Sequence, residues 1–88
     1  MKRYFKWKEE LFRRLEINYI EFEGEYATRV VKVRNGIWSW ARWEDNRFAF
    51  PDQPLSSTDF GLKDEISQNE LEDAWEEAQK KGDIDLSR

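Results

Sequence analysis

The sequence has 88 residues, with five tryptophans, no cysteine, no histidine and a net charge of −4. The missing thiol and imidazole groups exclude disulfides, cysteine or histidine zinc sites, and catalysis by either side chain. A chain of this length forms one domain, and no apolar run is long enough to span a membrane as a helix.

The first predicted element is a strand at residues 3–8, where polar and aromatic side chains alternate. Residues 9–16 leave two interpretations open. Leu11 and Leu15 have the spacing of a helix face, but together with Ile17 they also have the parity of a strand. We expect a short helical turn or an irregular connection in this segment.

Two turn sequences divide the next part of the chain into three strands. Residues 19–23 alternate and precede Gly24-Glu25, a pair that suits a type II′ hairpin turn. Residues 28–33 are rich in β-branched side chains and form the next strand. Asn35-Gly36 is the strongest hairpin signal, because a type I′ turn needs positive φ at both central positions. Residues 37–43 then form the returning strand.

These two-residue turns fix the register of the predicted sheet. Directly opposed residues lie on the same face of a sheet, so each pairing assigns two side chains to one side. The predicted pairs are Val33 with Trp38, Val31 with Trp40, Phe22 with Ala27, and Ile20 with Arg29. All eight share one side, which predicts an antiparallel meander of about four strands with one buried face.

The last predicted element is a helix at residues 68–81. Ser67 is its N-cap and Glu70 completes a capping box. One apolar stripe at helical spacing consists of Leu71, Ala74, Trp75 and Ala78. This stripe is expected to cover the apolar side of the sheet. The fold predicted is therefore a two-layer α+β domain at residues 1–82, followed by a tail at residues 83–88.

Residues 44–65, between sheet and helix, are predicted to be mostly loop. A short edge strand at residues 48–50 is one alternative within it. Leu55, Phe60 and Leu62 are expected to anchor the loop to the fold. A segment of this length without regular structure is uncommon in a compact domain, which favours a functional role for it.

Charge is distributed unevenly along the chain. Residues 1–47 have a balance of +3 and residues 48–88 a balance of −7. Such a split can indicate a basic surface for a partner in the first half. We prefer the alternative that the acidic C-terminal elements pack beside the basic sheet and offset its charge.

The candidate interaction surface is the second face of the predicted sheet. By strand parity Tyr19, Val30, Ile37 and Trp43 lie on that face, opposite the side that the helix covers. An exposed apolar patch there would bind a protein partner or a second copy of the chain. The alternative is that residues 9–16 or 44–65 fold over this face.

Three other functions are weighed against protein binding. Arg29, Arg34, Arg42 and Arg47 are interleaved with tryptophans and would suit stacking on a single-stranded nucleic acid, but the acidic net charge argues against it. The acidic helix, with Asp52, Asp59, Asp64 and Glu65, would suit an inhibitor or immunity-like protein that binds a basic partner.

An enzyme is the third alternative and the least favoured. The carboxylates of Glu21, Glu23 and Glu25 are predicted to lie along an exposed strand edge, and the spacing of known catalytic motifs is absent. We therefore predict no catalytic residue, no cofactor and no metal ligand, and we expect a non-enzymatic interaction or regulatory module.

Parts of the sequence resemble a group of small uncharacterised bacterial proteins, many of them cyanobacterial. The resemblance lies in residues 19–23 with residues 28–33, in residues 52–55, and in residues 66–75, where Ile-Ser-x-x-Glu-x-Glu-x-x-Trp opens the final helix. Leu71 stands where that helix often has phenylalanine. The resemblance implies a bacterial α+β protein without an assigned activity, and with no cysteine or secretory signal we expect a cytoplasmic location.

Overall fold

The computed structural model describes residues 1–12, 14–44, 54–58 and 60–81. Its elements are β1 (Lys2–Leu11), β2 (Arg14–Glu23), β3 (Tyr26–Arg34), β4 (Ile37–Arg42), β5 (Glu65–Ile66) and α1 (Gln68–Lys81). Two short 3-10 turns, Leu55–Ser57 and Leu62–Asp64, precede β5. The strand order is β4-β3-β2-β1-β5, with antiparallel pairing throughout.

The predicted α+β architecture is confirmed. Strands β1 to β4 form an antiparallel meander, and α1 packs on one face of it. The fifth strand was not predicted, because it consists of only two residues beside Tyr4 and Phe5 of β1. The predicted strand at residues 48–50 and the tail at residues 83–88 lie outside the described residues.

Both predicted turns are confirmed by their backbone angles. Asn35 and Gly36 have φ values of 50° and 81°, as a type I′ turn requires. Gly24 has φ of 64°, whereas Glu25 is not among the residues with positive φ, which agrees with type II′. The Asn35 side chain also accepts a hydrogen bond from the Leu15 amide at 3.3 Å, which fastens this turn to β2.

The expectation of a helical turn at residues 9–16 is wrong. β1 and β2 stay paired up to Leu11 and Arg14, so the segment is the closed end of a β-hairpin. Cross-strand pairing satisfies every second backbone group along the hairpin, whereas a helix of one or two turns gains little by itself.

A β-bulge at Thr28 changes the predicted register of β3. Glu21 pairs with Arg29 and Phe22 with Ala27, so Thr28 is the extra residue. Ile20 therefore faces Val30, and the predicted pair of Ile20 with Arg29 is wrong. The other three predicted pairs are confirmed, namely Phe22 with Ala27, Val31 with Trp40, and Val33 with Trp38.

Because of the bulge, the sheet buries apolar side chains on both faces. We call the side under α1 the helix face; its cluster contains Val31, Trp75 and Ala78, with Tyr19, Trp38 and Trp40 packed against them. We call the other side the loop face; its cluster contains Phe5, Ile20, Phe22, Ala27, Val30 and Ala41, with Trp7, Leu55 and Phe60 packed against them.

The loop segment anchors as predicted at two of its three apolar positions. Leu55 and Phe60 pack on the loop face, and the Phe60 ring stacks on Phe5 with ring centres 5.0 Å apart. Leu62 instead remains 84% exposed, so its predicted anchoring is wrong. Glu25 also holds this segment, since its carboxylate accepts a hydrogen bond from the Ser56 amide at 2.9 Å.

Helix α1 begins at the predicted cap and buries the predicted stripe. The Ser67 hydroxyl accepts a hydrogen bond from the Glu70 amide at 3.2 Å. Its four buried residues are Leu71, Ala74, Trp75 and Ala78. Trp75 meets Trp40 edge to face at 5.0 Å, and the Lys81 ammonium lies 5.7 Å from the Trp38 ring centre. Both sheet indoles therefore lie beneath the helix.

Ion pairs connect the basic sheet to the acidic C-terminal elements, as the charge distribution predicts. Their partners are Arg3 with Glu65, Lys6 with Glu70, and Arg29 with Glu72. At these three positions, acidic residues of the second half of the chain offset basic residues of the sheet.

Candidate interaction surface

The four residues of the sequence-predicted surface do not share one face. Tyr19 packs in the helix-face cluster, with the Lys6 ammonium 5.3 Å from its ring centre. Val30 is buried in the loop-face core. Ile37 and Trp43 are exposed, at 72% and 47%, but they lie at opposite ends of β4. The surface predicted from strand parity is therefore divided.

Exposed large apolar side chains instead concentrate at the ends of the strands. In the described part of the chain they are Met1, Phe12, Leu15, Tyr26, Ile37, Trp43 and Leu62. Two of them, Phe12 and Leu15, belong to the β1–β2 hairpin end. We call the segment from Glu9 to Glu16 the hairpin tip.

Among the described residues of the hairpin tip, Phe12 has the most unusual conformation. Its side chain is 97% exposed, and its φ of 49° lies in the left-handed region. An L-residue in that region costs about 1–2 kcal/mol, and bulky residues are rare there. The chain therefore holds a large apolar ring in water on a strained backbone, and observed strain of this kind supports a functional hypothesis.

Phe12 lines two shallow depressions of the surface. One, with a volume of about 440 Å³, is lined by Glu9, Phe12, Arg14 and Glu16. The other, of about 360 Å³, is lined by Glu10, Phe12, Arg14 and Leu15. Phe12 and Arg14 line both, so the hairpin tip is a projecting ring with charged groups of both signs beside it.

Charges on the hairpin tip differ in how far they are already neutralised. Glu16 pairs with Lys32 at 3.6 Å and with Arg34 at 3.3 Å, and Glu9 accepts a hydrogen bond from the Trp7 indole. Glu10 and Arg14 make no ion pair with another described residue. They remain available to a partner.

The carboxylate of Glu21 forms a second cluster, which sequence patterns did not reveal. It was predicted to be exposed, but it is 2% exposed, because the bulge places it beneath α1 beside Arg29. Arg29 donates to it at 3.0 and 2.6 Å, and the Thr28 hydroxyl donates at 2.7 Å. A third guanidinium nitrogen of Arg29 donates to Glu72 on α1 at 2.6 Å.

The electrostatics of this cluster favour a structural role. Burial raises the pKa of Glu21, but hydrogen bonds from Arg29 and Thr28 and the nearby positive charges outweigh it, so the pKa is below its ordinary value. Although burial acts to lower the pKa of Arg29, its bonds to Glu21 and Glu72 raise it on balance. Both groups stay charged, which disfavours proton transfer by either.

The arginines and tryptophans considered for nucleic-acid binding do not form one face. Arg29 is engaged with Glu21 and Glu72, and Arg34 pairs with Glu16 on the loop face. The Arg42 guanidinium lies 5.4 Å from the ring centre of Trp75 on the helix side. Arg47 is outside the described residues. A continuous stacking platform of the kind that binds single strands is not formed by the described residues of this set.

The carboxylates of α1 are mostly engaged within the molecule. Glu70 and Glu72 pair with the sheet, while Glu76 and Glu77 pair with Lys80 and Lys81 one turn later. A helix neutralised in this way is a weak mimic of a polyanion. Of the acidic loop residues in the same hypothesis, Asp52 and Asp59 lie outside the described residues.

Comparison with protein-family models, with curated proteins and with solved structures finds no match to this chain. Within the described residues, histidine, cysteine, aspartate and glutamate side chains do not gather in a group of three that could hold a metal ion. The helix of that part of the chain is also neither long nor apolar enough to cross a membrane.

Proposed function

We propose that this protein is a small non-enzymatic interaction module that binds a partner protein through the hairpin tip. One observation carries the proposal: the Phe12 ring is 97% exposed on a backbone with φ of 49°. A turn that served only to connect two strands would gain stability with asparagine or glycine at this position. Phenylalanine here costs stability and supplies a large contact surface.

The shape of the hairpin tip indicates the chemistry of its partner. A ring that projects from a tight turn fits a concave apolar pocket, and aromatic anchors of this type dominate the binding energy of many interfaces. Glu10 and Arg14 flank the ring with opposite charges, so the rim of the pocket should be polar and carry both signs. A uniformly charged partner is less favoured.

The hairpin tip is supported by the sheet beneath it. Leu15 and Asn35 exchange two hydrogen bonds, which connect the β1–β2 hairpin to the β3–β4 turn. Glu16 is held by Lys32 and Arg34 from the next strand. A ring presented by a braced hairpin loses little conformational entropy on binding, which favours affinity.

The test compares three proteins: the natural chain, Phe12→Ser, and Leu62→Ser. Leu62 is a matched control, because its side chain is also apolar and 84% exposed but lies on the short turn before β5. Each protein is immobilised and used to capture proteins from its own cells, with quantification by mass spectrometry. Partners should be retained by the natural chain and Leu62→Ser and lost by Phe12→Ser.

A second measurement identifies the contact directly. A photo-crosslinking phenylalanine analogue at position 12 should form a covalent adduct with the captured partner, and the same analogue at position 62 should not. Adducts of equal yield from both positions, or a Phe12→Ser protein that captures an unchanged set of partners, would refute the proposal. Thermal melting of the variants confirms that loss of binding is not loss of fold.

A further inference from the structure

The outer edge of β4 is a second surface, separate from the hairpin tip. β4 is the last strand of the sheet, and among the described residues it pairs only with β3. With respect to residues 1–12, 14–44, 54–58 and 60–81, its other side therefore presents backbone N–H and C=O groups, which form a template for another strand.

The two edges of the sheet differ in how well they are protected from pairing with another strand. The outer edge of β1 is covered by β5 at Tyr4 and Phe5 and continues with charged residues, namely Lys6, Lys8, Glu9 and Glu10. Such charges discourage pairing between edges. β4 has one charged residue, Arg42 at its end, contains no proline, and pairs with β3 without a bulge. In the part of the chain that the structure describes, the β4 edge lacks the devices that keep strands apart.

We propose that a second copy of this chain pairs antiparallel with β4, with Trp40 on a two-fold axis perpendicular to the sheet. Such an axis keeps each face of the two sheets on the same side, so opposed residues must share a face. With Trp40 on the axis, Ile37 of one copy lies opposite Trp43 of the other. Arg42 lies opposite Trp38 of the other copy.

This register is self-complementary in side-chain chemistry. Ile37 and Trp43, which are 72% and 47% exposed in the single chain, meet across the axis and cover each other. Arg42 meets an indole rather than a second arginine, and a guanidinium over tryptophan is favourable. No pair of like charges is opposed along the strand. Antiparallel pairing thus brings the Ile37 end of β4 in one copy against the Trp43 end in the other, and the two ends have complementary side chains.

The position of α1 adds surface to the contact. Among the strands, α1 packs most closely against β4, so the helices of the two copies lie on the same face of the joined sheet, on either side of the axis. Stable protein interfaces bury roughly 800 Å² on each partner, and a six-residue edge alone is smaller than this. The proposed dimer therefore requires contact between the two helices as well. The hairpin tips lie two strands away and stay accessible in both copies.

Sedimentation over a wide range of concentrations tests the proposal. The 10.8 kDa chain should sediment with twice its mass as concentration rises. Ile37→Glu should abolish the dimer, because it buries a carboxylate against an indole, and the exposure of Ile37 means that the fold should tolerate this change. The double variant Ile37→Lys with Trp43→Glu should restore the dimer, since the new opposite charges face each other only in this register.

Two control variants place a change away from the β4 edge. Leu62→Glu introduces the same charge at an exposed leucine away from β4 and should leave the dimer unchanged. Phe12→Ser removes the proposed partner contact and should also leave it unchanged, so that the two proposals fail independently. A chain that stays monomeric at every concentration, or a dimer that Ile37→Glu does not weaken, would overturn the proposal.

Discussion

The guanidinium of Arg29 forms a two-pronged hydrogen bond with the carboxylate of Glu21, in the layer between sheet and helix. The Glu21 side chain is almost fully buried, so removal of its partner leaves a charge without compensation. Arg29→Ala should lower the free energy of unfolding by about 3 kcal/mol, near the lower end for broken buried pairs because Arg29 is partly exposed. Urea denaturation measures this loss.

Arg34→Ala is the matched control for this experiment. Arg34 also pairs with a glutamate of the neighbouring strand, Glu16, but its side chain is half exposed. Exposed ion pairs contribute less than about 1 kcal/mol, because solvent screens them. Equal losses in the two variants would show that burial does not set the strength of the Arg29 pair.

The free energy of unfolding should depend on pH in the acid range because of Glu21. Its pKa is lower in the folded protein than its ordinary value of 4.5, so the unfolded chain binds more protons as the solution is acidified. The stabilising contribution is complete well above 4.5 and is lost as pH falls through the folded pKa. Glu21→Gln should therefore be less stable at neutral pH and should lose less stability on acidification than the natural chain.

Denaturation at a series of pH values below neutrality measures this difference. Glu65→Gln serves as the comparison, since the pKa of Glu65 is also lowered by its bond to Arg3, but on the exposed edge of the sheet. A Glu21→Gln protein whose stability falls as steeply with acid as that of the natural chain would contradict the assignment.

The elements of the fold were predictable because their signals are local. Asn35-Gly36 specifies its turn through backbone angles, and the stripe around Trp75 specifies which side of α1 is buried. The bulge at Thr28 was not predictable from turn chemistry. It shifts the register so that apolar side chains of β3 are buried on both faces of the sheet, and this is not a local signal. The sequence feature that corresponds to burial on both faces is the adjacent apolar pair Val30-Val31, because successive strand residues point to opposite faces.

The candidate site was predictable only in part. Ile37 and Trp43 are exposed at the two ends of β4, whereas the bulge and the helix place Tyr19 and Val30 in the two clusters. Phe12 was missed, because Phe-Arg is not a turn sequence and the segment around it resembled a helix in its leucine spacing. The outlier that draws attention to this residue is its backbone angle, which becomes visible only in the structure.

Trp75 is expected to be the most important single side chain of α1. It is buried against Trp40, and the guanidinium groups of Arg29 and Arg42 lie over its ring at 5.0 and 5.4 Å. Trp75→Ala should cost about 3–5 kcal/mol, as for other large-to-small changes in a core. Glu76→Ala, at the exposed next position, should stay within about 0.5 kcal/mol. A melting temperature unchanged by Trp75→Ala would disprove this packing.

Gly36 and Gly61 form a natural pair for measuring the cost of a left-handed turn. A methyl group would meet no atom within 4 Å at either position. Gly36 has φ of 81°, whereas Gly61 has φ of −124°, which alanine adopts freely. Gly36→Ala should therefore destabilise by about 1–2 kcal/mol, and Gly61→Ala should be neutral or slightly stabilising. Denaturation curves with equal midpoints would show that the turn does not need its positive φ.

Phe12 is expected to lower the stability of the fold and to be required for binding. Asparagine tolerates the left-handed region better than phenylalanine, and the exposed ring of Phe12 contributes little burial to the folded chain. Phe12→Asn should therefore raise the free energy of unfolding by about 0.5–1 kcal/mol, in line with relief of backbone strain. The same variant should lose the partner that the natural chain captures. A less stable Phe12→Asn protein would mean that the ring serves the fold, and it would remove the main reason for assigning the hairpin tip to a partner.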